Sequence, residues 1–199
     1  MFTVNKIRSI VNNIKFSIKR IFVPLPKPQA DFFESTIIDI ASDCKFPANV
    51  LSNLYPSKFE FEGVKFNSME GFLQALKTPD EQLQREIHKM SGMEARRMSN
   101  VFKGIFSEKT VAWKGRITKI FDGKTMHWKG KIVDRFSVEY DDLIKRAFRA
   151  KFEQDPLFRY ALKQTKGKTI THSIGKSDKE ETILTEKEFV TLLDELRDL

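Results

Sequence analysis

Apolar residues along the chain follow two periods, which together predict helices mixed with short strands. Two segments alternate apolar and polar residues around a glycine: Lys58–Phe66 turns at Glu62-Gly63, and Thr125–Val133 turns at Lys129-Gly130. This pattern is typical of β-hairpins. β-Branched runs add short strand candidates at residues 36–41 and 169–174.

The other segments repeat apolar residues every three or four positions, as amphipathic helices do. Ser91 and Thr185 are each followed by a glutamate three residues later, which is the spacing of a capping box, and Pro156 suits a first helical position. The predicted helices cover residues 68–77, 78–90, 91–102, 137–152 and 156–164, and a last one begins at 185. The predicted fold is therefore a helix-dominated α+β single domain with short β-hairpins.

The first 28 residues differ from the rest of the chain. They hold six basic residues and no acid, so they carry six of the eight net positive charges. Isoleucines recur among these charges at helical spacing, and the proline-rich run at 23–28 ends the pattern. We expect an amphipathic helix and linker at 1–28, followed by one domain at 29–199. The helix either contacts nucleic acid or an anionic surface, or packs on the domain through its isoleucines.

Composition narrows the class of protein. A single cysteine, Cys44, allows no internal disulfide and favours a reducing compartment. No apolar run approaches the ~20 residues that cross a bilayer. A cytoplasmic location is expected, with the oligomeric state left open. His88 and His127 have no partner spacing for a metal site, and no nucleotide-binding glycine motif is present, so neither a metal nor a cofactor is expected.

The segment from Ser68 to Lys77 carries the candidate chemistry. With Ser68 as N-cap, Glu70 lies in the first turn, where free amides favour the ionised carboxylate and predict a lowered pKa. Gln74 and Lys77 follow on the same helix face. From spacing alone, a surface helix with a solvated polar face is the simpler interpretation.

Ordered motifs then give a family resemblance. Ser52-Asn53-Leu54-Tyr55-Pro56 precedes the first hairpin, and Ser68-Met-Glu-Gly-Phe-Leu-Gln-Ala-Leu-Lys77 follows it. Glu94–Met98 and Arg146–Phe152 with Gln154 come next. These segments resemble, over about residues 36–197, the NADAR family (NAD and ADP-ribose associated), also called YbiA-like.

The resemblance implies an N-glycosidase or ADP-ribosyl hydrolase with Glu70 as its catalytic carboxylate. A family aspartate aligns loosely with Asp178, and a family aromatic residue corresponds to Phe136, which replaces a tryptophan. Gly71 stands where the family has a histidine, and the family's C-terminal glycine-rich elements are absent. These departures indicate a divergent subfamily.

Other residues then take hypothetical roles. Lys77 is the third catalytic candidate beside Glu70 and Asp178, most simply as an ion-pair or phosphate partner. Asp178 or His172 is a candidate proton donor. The substrate-binding candidates are Asn53, Tyr55, Gln74, Arg96, Phe136, Arg149, Lys151 and His172. For each of these residues alone, an ordinary structural position is the simpler interpretation. Arg149 and Lys151 would then lie on a solvated helix face, and Phe136 and Tyr55 would pack in the core.

Three functions remain open at this stage. The chain removes ADP-ribose from guanine in nucleic acid, cleaves phosphorylated riboflavin-pathway intermediates, or binds ADP-ribose without catalysis. The basic first 28 residues favour a polyanionic partner such as modified DNA, and so the first function.

Overall fold

A computed structural model describes residues 24–103, 110–113, 116–119 and 122–199. Its helices are α1 (Ala30–Glu34), α2 (Ala48–Leu51), α3 (Met69–Ala75), α4 (Glu81–Ile87), α5 (Gly92–Lys103), α6 (Val138–Gln154), α7 (Pro156–Gln164) and α8 (Glu186–Arg197). Its strands are β1 (Ile37–Asp39), β2 (Phe59–Phe61), β3 (Val64–Phe66), β4 (Thr110–Trp113), β5 (Arg116–Lys119), β6 (Thr125–Trp128), β7 (Lys131–Asp134) and β8 (Thr169–Thr171). The helix-dominated α+β class is confirmed. None of the helices in these ranges is long and apolar enough to span a membrane.

Both predicted hairpins are confirmed, and their turns have the backbone that the sequence requires. Glu62 and Gly63 have φ of 48° and 81°, and Lys129 and Gly130 have φ of 49° and 76°. Two consecutive left-handed residues match the right-handed twist of the flanking strands. β2 pairs with β3, and β6 with β7, in antiparallel register. A further hairpin, β4–β5, was not predicted.

The two isolated strand candidates pair with each other, which the sequence did not predict. β1 and β8 run parallel, with Ile38 opposite Ile170. Asp39 fixes the end of this pair because its carboxylate accepts hydrogen bonds from the Thr171 hydroxyl at 2.9 Å and the Ser173 amide at 2.8 Å. The pair therefore joins the start of the described domain to a segment near its end.

Phenylalanine and tryptophan rings fill the centre of the core, in keeping with the phenylalanine-rich composition. Phe66 and Phe72 meet edge to face at 5.5 Å between ring centroids, and Trp128 lies 5.6 Å from both Phe61 and Phe72. These rings come from β2, β3, α3 and β6. Each such contact adds to the free energy gained from burial, so the hairpins and α3 form one packed unit.

The predicted helices are present, with some differences in where they begin and end. α4 begins later than predicted because Asp80 caps it, accepting from the amides of Gln82 and Leu83 at 2.9 and 3.0 Å. Pro156 occupies the first turn of α7, as predicted. The short helices α1 and α2 were missed, since four or five residues leave no periodicity to detect.

A buried ion pair connects the start of α6 to α8. Arg135 is fully buried and donates to both carboxylate oxygens of Glu188, at 3.1 and 2.6 Å. Glu188 also completes the predicted capping box with Thr185. Burial opposes ionisation of Glu188, but hydrogen bonds from Arg135, the Thr185 amide and Lys179 outweigh it and lower its pKa to about 2.

The predicted division of the chain stays a prediction. The N-terminal amphipathic helix falls largely on residues 1–23, which lie outside the described residues. Residues 24–29 form no regular element, and α1 begins at Ala30.

Candidate active site

The start of α3 is fixed by Ser68, as the sequence predicted. Ser68 is fully buried, and its hydroxyl accepts a hydrogen bond from the Gly71 amide at 3.0 Å. The same hydroxyl lies 3.3 Å from the Met90 carbonyl, to which it donates. A hydrogen bond therefore connects the N-cap of α3 to the segment between α4 and α5.

Glu70 joins this turn to the Ser52–Leu54 loop and to the next turn of α3. Its main-chain amide donates to the Asn53 carbonyl at 3.0 Å. Its carboxylate accepts from the Gln74 side-chain amide at 2.7 Å. The carboxylate is thus held at a defined position by contacts on both sides of the residue.

The predicted lowering of the Glu70 pKa is wrong, because burial raises it. Glu70 keeps part of its surface accessible, but desolvation of its carboxyl group outweighs the Gln74 hydrogen bond and the positive charges of Lys77 and Arg96. The first-turn position favours the ionised form, yet the loop and helix packed around Glu70 remove the water that would solvate it. The carboxyl group therefore takes up a proton more readily than a solvated glutamate does.

Lys77 lies next to the end of α3 rather than on it. The helix ends at Ala75, and the Lys77 amide donates to the Gln74 carbonyl at 3.2 Å in the turn that follows. Its side chain is buried, with 7% of the residue exposed. The predicted helical stripe is therefore incomplete, although the charge of Lys77 still acts on Glu70.

Arg96 reaches this group from α5, whose start has the predicted capping arrangement. The Ser91 amide donates to the Glu94 carboxylate at 2.8 Å, and the Glu94 amide lies 3.4 Å from the Ser91 hydroxyl. Arg96 is exposed, and its charge favours ionised Glu70. The chain therefore brings together five of the predicted site residues, which are Asn53, Glu70, Gln74, Lys77 and Arg96.

Gly92 makes this assembly possible and was missed as a site-forming residue. A Cβ atom on Gly92 would lie 2.1 Å from the Leu54 carbonyl oxygen and 2.4 Å from the Leu54 Cα. Only glycine lets the first turn of α5 approach the loop that holds Glu70 so closely. The sequence does show a glycine directly after the capping residue Ser91, at a position where residues with a higher helix propensity are common.

The glycine at 71 also has a structural reason. A Cβ atom there would lie 3.1 Å from the Ile87 carbonyl oxygen and 3.2 Å from the Ser68 hydroxyl oxygen. The end of α4 therefore occupies the space beside α3 that a side chain at this position would need. A side chain at position 71 would therefore require the end of α4 or the Ser68 hydroxyl to shift by a few tenths of an ångström.

Two candidates near the C-terminus lie in a separate set of contacts. The Asp178 carboxylate accepts from the Glu180 amide at 2.8 Å and is exposed. His172 Nδ1 lies 2.7 Å from the Ile40 carbonyl oxygen, which can only accept, so Nδ1 donates to it and Nε2 is the ring nitrogen left for another contact. No contact among the described residues connects either one to Glu70.

The aromatic candidates differ in exposure. Phe136 is 45% exposed, at the turn before α6. Tyr55 is half-buried and packs against the main core. An exposed ring at Phe136 is free to stack on a planar ligand, whereas Tyr55 already has apolar neighbours.

The two basic candidates on α6 also differ. Arg149 is exposed and donates to Glu153 at 2.9 Å. Lys151 is fully buried, with its ammonium 4.1 Å from the centre of the Phe158 ring, so the expected solvated position is wrong. Burial lowers its pKa to about 8, although Asp155 opposes this. A phosphate contact at Lys151 would require this surface of α6 to open.

Metal-ligating groups do not converge in the described part of the chain. No group of three or more histidine, cysteine, aspartate or glutamate side chains there is arranged to hold a metal ion. The chemistry available at Glu70 is that of one desolvated carboxyl group, two amides and two cations.

Comparisons with known proteins add family and fold. The family model described as bacteriophage protein GP30.3 matches residues 45–198. The uncharacterized 17.1 kDa protein of the Gp30–rIII intergenic region of enterobacteria phage T4 is 32% identical over 162 residues, which cover 81% of this chain and 97% of that protein. The NMR structure of the E. coli protein YbiA matches 88% of each chain with a TM-score of 0.50 and 21% identity. At that identity the match concerns the fold, and it agrees with the YbiA-like relationship that the motifs predicted.

Proposed function

This chain belongs to the bacteriophage protein GP30.3 family and has a YbiA-like fold, and on that basis we propose that it is a divergent NADAR-type N-glycosidase. The proposed reaction removes ADP-ribose from a nucleobase, and guanine in nucleic acid is the favoured substrate. The observation that carries the proposal is the environment of Glu70. Its carboxyl group is desolvated, held by Gln74, and flanked by the charges of Lys77 and Arg96.

The reaction breaks the bond between C1′ of the ribose and a base nitrogen. The bonding electrons leave with the nitrogen, which takes up a proton, while positive charge develops on C1′ and the ring oxygen. Water then adds to C1′ and gives up a proton. An ionised carboxylate beside C1′ stabilises that positive charge or removes the proton from water.

Glu70 suits this role because its charge is weakly solvated. A carboxylate surrounded by water loses part of its field to solvent, whereas a desolvated one acts at nearly full strength on a cation beside it. The charges of Lys77 and Arg96 lower the pKa of Glu70 and so favour its ionised form against the effect of burial. Both side chains are also cations of the kind that bind the diphosphate of ADP-ribose.

Three groups are candidates to donate the proton that the leaving base nitrogen takes up. Asp178 and His172 remain candidates, as does protonated Glu70 itself, since its raised pKa increases the protonated fraction. Phe136 is an exposed ring on which a base can stack. A guanine within DNA would need to be single-stranded or flipped out.

The test is release of ADP-ribose from an oligonucleotide that carries ADP-ribosylated guanine, followed by mass spectrometry. We expect release by the wild-type protein and a loss of about 10³-fold in the Glu70→Gln variant, whose amide keeps the shape but not the charge. Glu195→Gln is the matched control, because Glu195 is 49% exposed and pairs with Lys145 on the surface.

Running the assay with different substrates distinguishes the three functions. Full activity in Glu70→Gln would remove Glu70 from the mechanism. Cleavage of phosphorylated riboflavin-pathway intermediates, but not of modified DNA, would replace the substrate. Tight ADP-ribose binding without release of base from either substrate would identify a binding module. Deleting residues 1–28 should weaken activity on DNA more than binding of free ADP-ribose if this basic segment contacts the polyanion.

A further inference from the structure

Two of the residues that contact Glu70 keep a buried amide oxygen without a hydrogen-bond donor. Asn53 Oδ1 and Gln74 Oε1 have no partner among the described residues. Gln74 is only 3% exposed. Leaving a buried acceptor unsatisfied is destabilising, so native proteins keep few of them. Two such oxygens on direct partners of Glu70 call for an explanation.

Both residues are hydrogen-bonded to Glu70, Asn53 through its main chain and Gln74 through its side chain. The main-chain oxygen of Asn53 accepts from the Glu70 amide at 3.0 Å. The Gln74 NH₂ group donates to the Glu70 carboxylate at 2.7 Å. Because the Glu70 oxygen accepts in this contact, the NH₂ group of Gln74 faces Glu70 and its oxygen faces away. The unpaired oxygen of Gln74 therefore follows from the contact with Glu70.

The chemistry of a matching ligand follows from these oxygens. Both only accept hydrogen bonds, so they require O–H or N–H groups. The phosphates of ADP-ribose are acceptors at neutral pH and cannot satisfy them. The ribose hydroxyls are donors, and the 2′-hydroxyl is attached to the carbon next to C1′. Gln74 contacts the carboxylate that is proposed to act on C1′, and Asn53 is hydrogen-bonded to the main chain of the same residue, so the 2′-hydroxyl is the donor that the proposed reaction brings to this side of Glu70.

We propose that Asn53 and Gln74 accept hydrogen bonds from the ribose hydroxyls next to the scissile bond and thereby select ribose over 2′-deoxyribose. This inference rests on the proposed function of Glu70. Hydrogen bonds to the hydroxyl beside the reacting carbon strengthen as positive charge develops there, so they also assist the reaction. A site built to bond a hydroxyl rejects the analogue that lacks it, because its own polar groups then stay unpaired.

This selection has a specific use on modified DNA. An ADP-ribosylated deoxyguanosine contains two bonds from the base to a sugar, one to the ribose of ADP-ribose and one to the deoxyribose of the strand. Only the first sugar has a 2′-hydroxyl. An enzyme that requires this hydroxyl removes the modification and leaves the DNA without an abasic site.

The experiment compares two probes by calorimetry: ADP-ribose, and its analogue lacking the 2′-hydroxyl on the terminal ribose. We expect the wild-type protein to bind ADP-ribose at least about tenfold more tightly, the difference expected for one good hydrogen bond. Asn53→Leu and Gln74→Met remove the acceptors at similar volume. Each should weaken ADP-ribose binding while leaving the analogue nearly unaffected, so that the two affinities converge.

Asn49→Leu is the matched control, since Asn49 Oδ1 is also buried without a partner and has no described contact with Glu70. It should leave the preference for ribose intact, and thermal melting verifies that each variant is folded. Equal loss in Asn49→Leu, or equal binding of both probes by the folded wild-type protein, overturns the inference.

The results distinguish a failure of the ribose selection from a failure of the proposed function. If the wild-type protein releases ADP-ribose from modified DNA but binds both probes equally, the ribose selection is wrong and the proposed function stands. If it binds neither probe and releases nothing, the proposed function itself is wrong. Abasic sites formed in modified DNA by the wild-type protein would also contradict the selection.

Discussion

Glu70 and Glu188 both lie in the first turn of a helix beside positive charges, yet their pKa values move in opposite directions. Glu188 receives hydrogen bonds from Arg135, the Thr185 amide and Lys179, and these lower its pKa to about 2 despite burial. The Glu70 carboxylate accepts a hydrogen bond from Gln74, yet burial outweighs it and raises the pKa.

The difference shows that the balance between burial and stabilising partners, rather than the helix position, decides the state of a buried carboxylate. Hydrogen bonds from Arg135, Thr185 and Lys179 outweigh burial at Glu188, so its charge contributes to stability. At Glu70 burial outweighs the Gln74 hydrogen bond and the charges of Lys77 and Arg96, so its charge keeps a desolvation cost that a cationic ligand atom would reduce. Four changes test this comparison, beginning with the largest expected effect.

Glu188→Ala should lower the free energy of unfolding by about 3–5 kcal/mol, because it leaves the fully buried Arg135 without its partner. Chemical denaturation measures this loss. The exposed pair of Lys145 and Glu195 is the control, and Glu195→Ala should cost less than about 1 kcal/mol. A similar small cost for Glu188→Ala would contradict the structural role.

The pH dependence of stability tests the pair of Arg135 and Glu188 more specifically. Because folding lowers the pKa of Glu188 to about 2, its contribution is complete above the ordinary value of 4.5 and is lost as the pH falls toward 2. Glu188→Ala should therefore show less acid destabilisation across this window than the wild-type protein.

Gly92→Ala should lower stability by about 3 kcal/mol, at the upper end of the usual cost of overpacking. The added Cβ atom meets main-chain atoms of Leu54, which cannot rotate away. Since the Ser52–Leu54 loop holds Glu70, ADP-ribose release should fall further than unfolding alone explains. Met93→Ala is the neighbouring control, as Met93 is 52% exposed. Unchanged melting in Gly92→Ala would contradict the close approach of α5 to this loop.

Lys151→Met should raise stability by about 2 kcal/mol at neutral pH, since it removes a buried ammonium whose nitrogen has no hydrogen-bond partner among the described residues. Folding lowers the pKa of Lys151 to about 8, so the gain is largest below pH 8 and disappears as the pH rises toward 10.5. Denaturation at pH 7 and pH 10.5 measures it. A loss of stability at pH 7 would mean that the ammonium contributes to the fold.

Arg96→Gln should have the smallest effect, a shift of the acid limb of the activity profile toward higher pH. The charge of Arg96 lowers the pKa of Glu70, so its removal raises that pKa further and requires a higher pH for ionisation. The neighbouring exposed Arg97 provides the control, because Arg97→Gln should leave the limb in place. An acid limb that stays in place or moves to lower pH would contradict the effect of Arg96 on Glu70.

Local features of the fold were predictable, because short-range chemistry determines them. The hairpins were visible in Glu62-Gly63 and Lys129-Gly130, where glycine accepts the left-handed backbone. The capping of α3 by Ser68 and of α8 by Thr185 followed from residue type and spacing.

Features that depend on distant segments were not predictable. The Glu70 pKa depends on how the Ser52–Leu54 loop and α5 cover the carboxyl group, and helix position alone gave the wrong direction. The burial of Lys151 depends on Phe158 in the next helix. The residues grouped around Glu70 follow ordered motifs, whereas their unpaired oxygens appear only when the fold is known.

The parallel pair of β1 and β8 has a consequence for the order of folding. Asp39 and Thr171 are 132 residues apart, whereas the strands of each hairpin are adjacent in the chain. Closing so long a loop costs entropy before any contact compensates for it, so the hairpins form early and this pair forms late. During synthesis, β1 therefore waits until β8 has left the ribosome, and the chain depends on the hairpin core to stay compact until then.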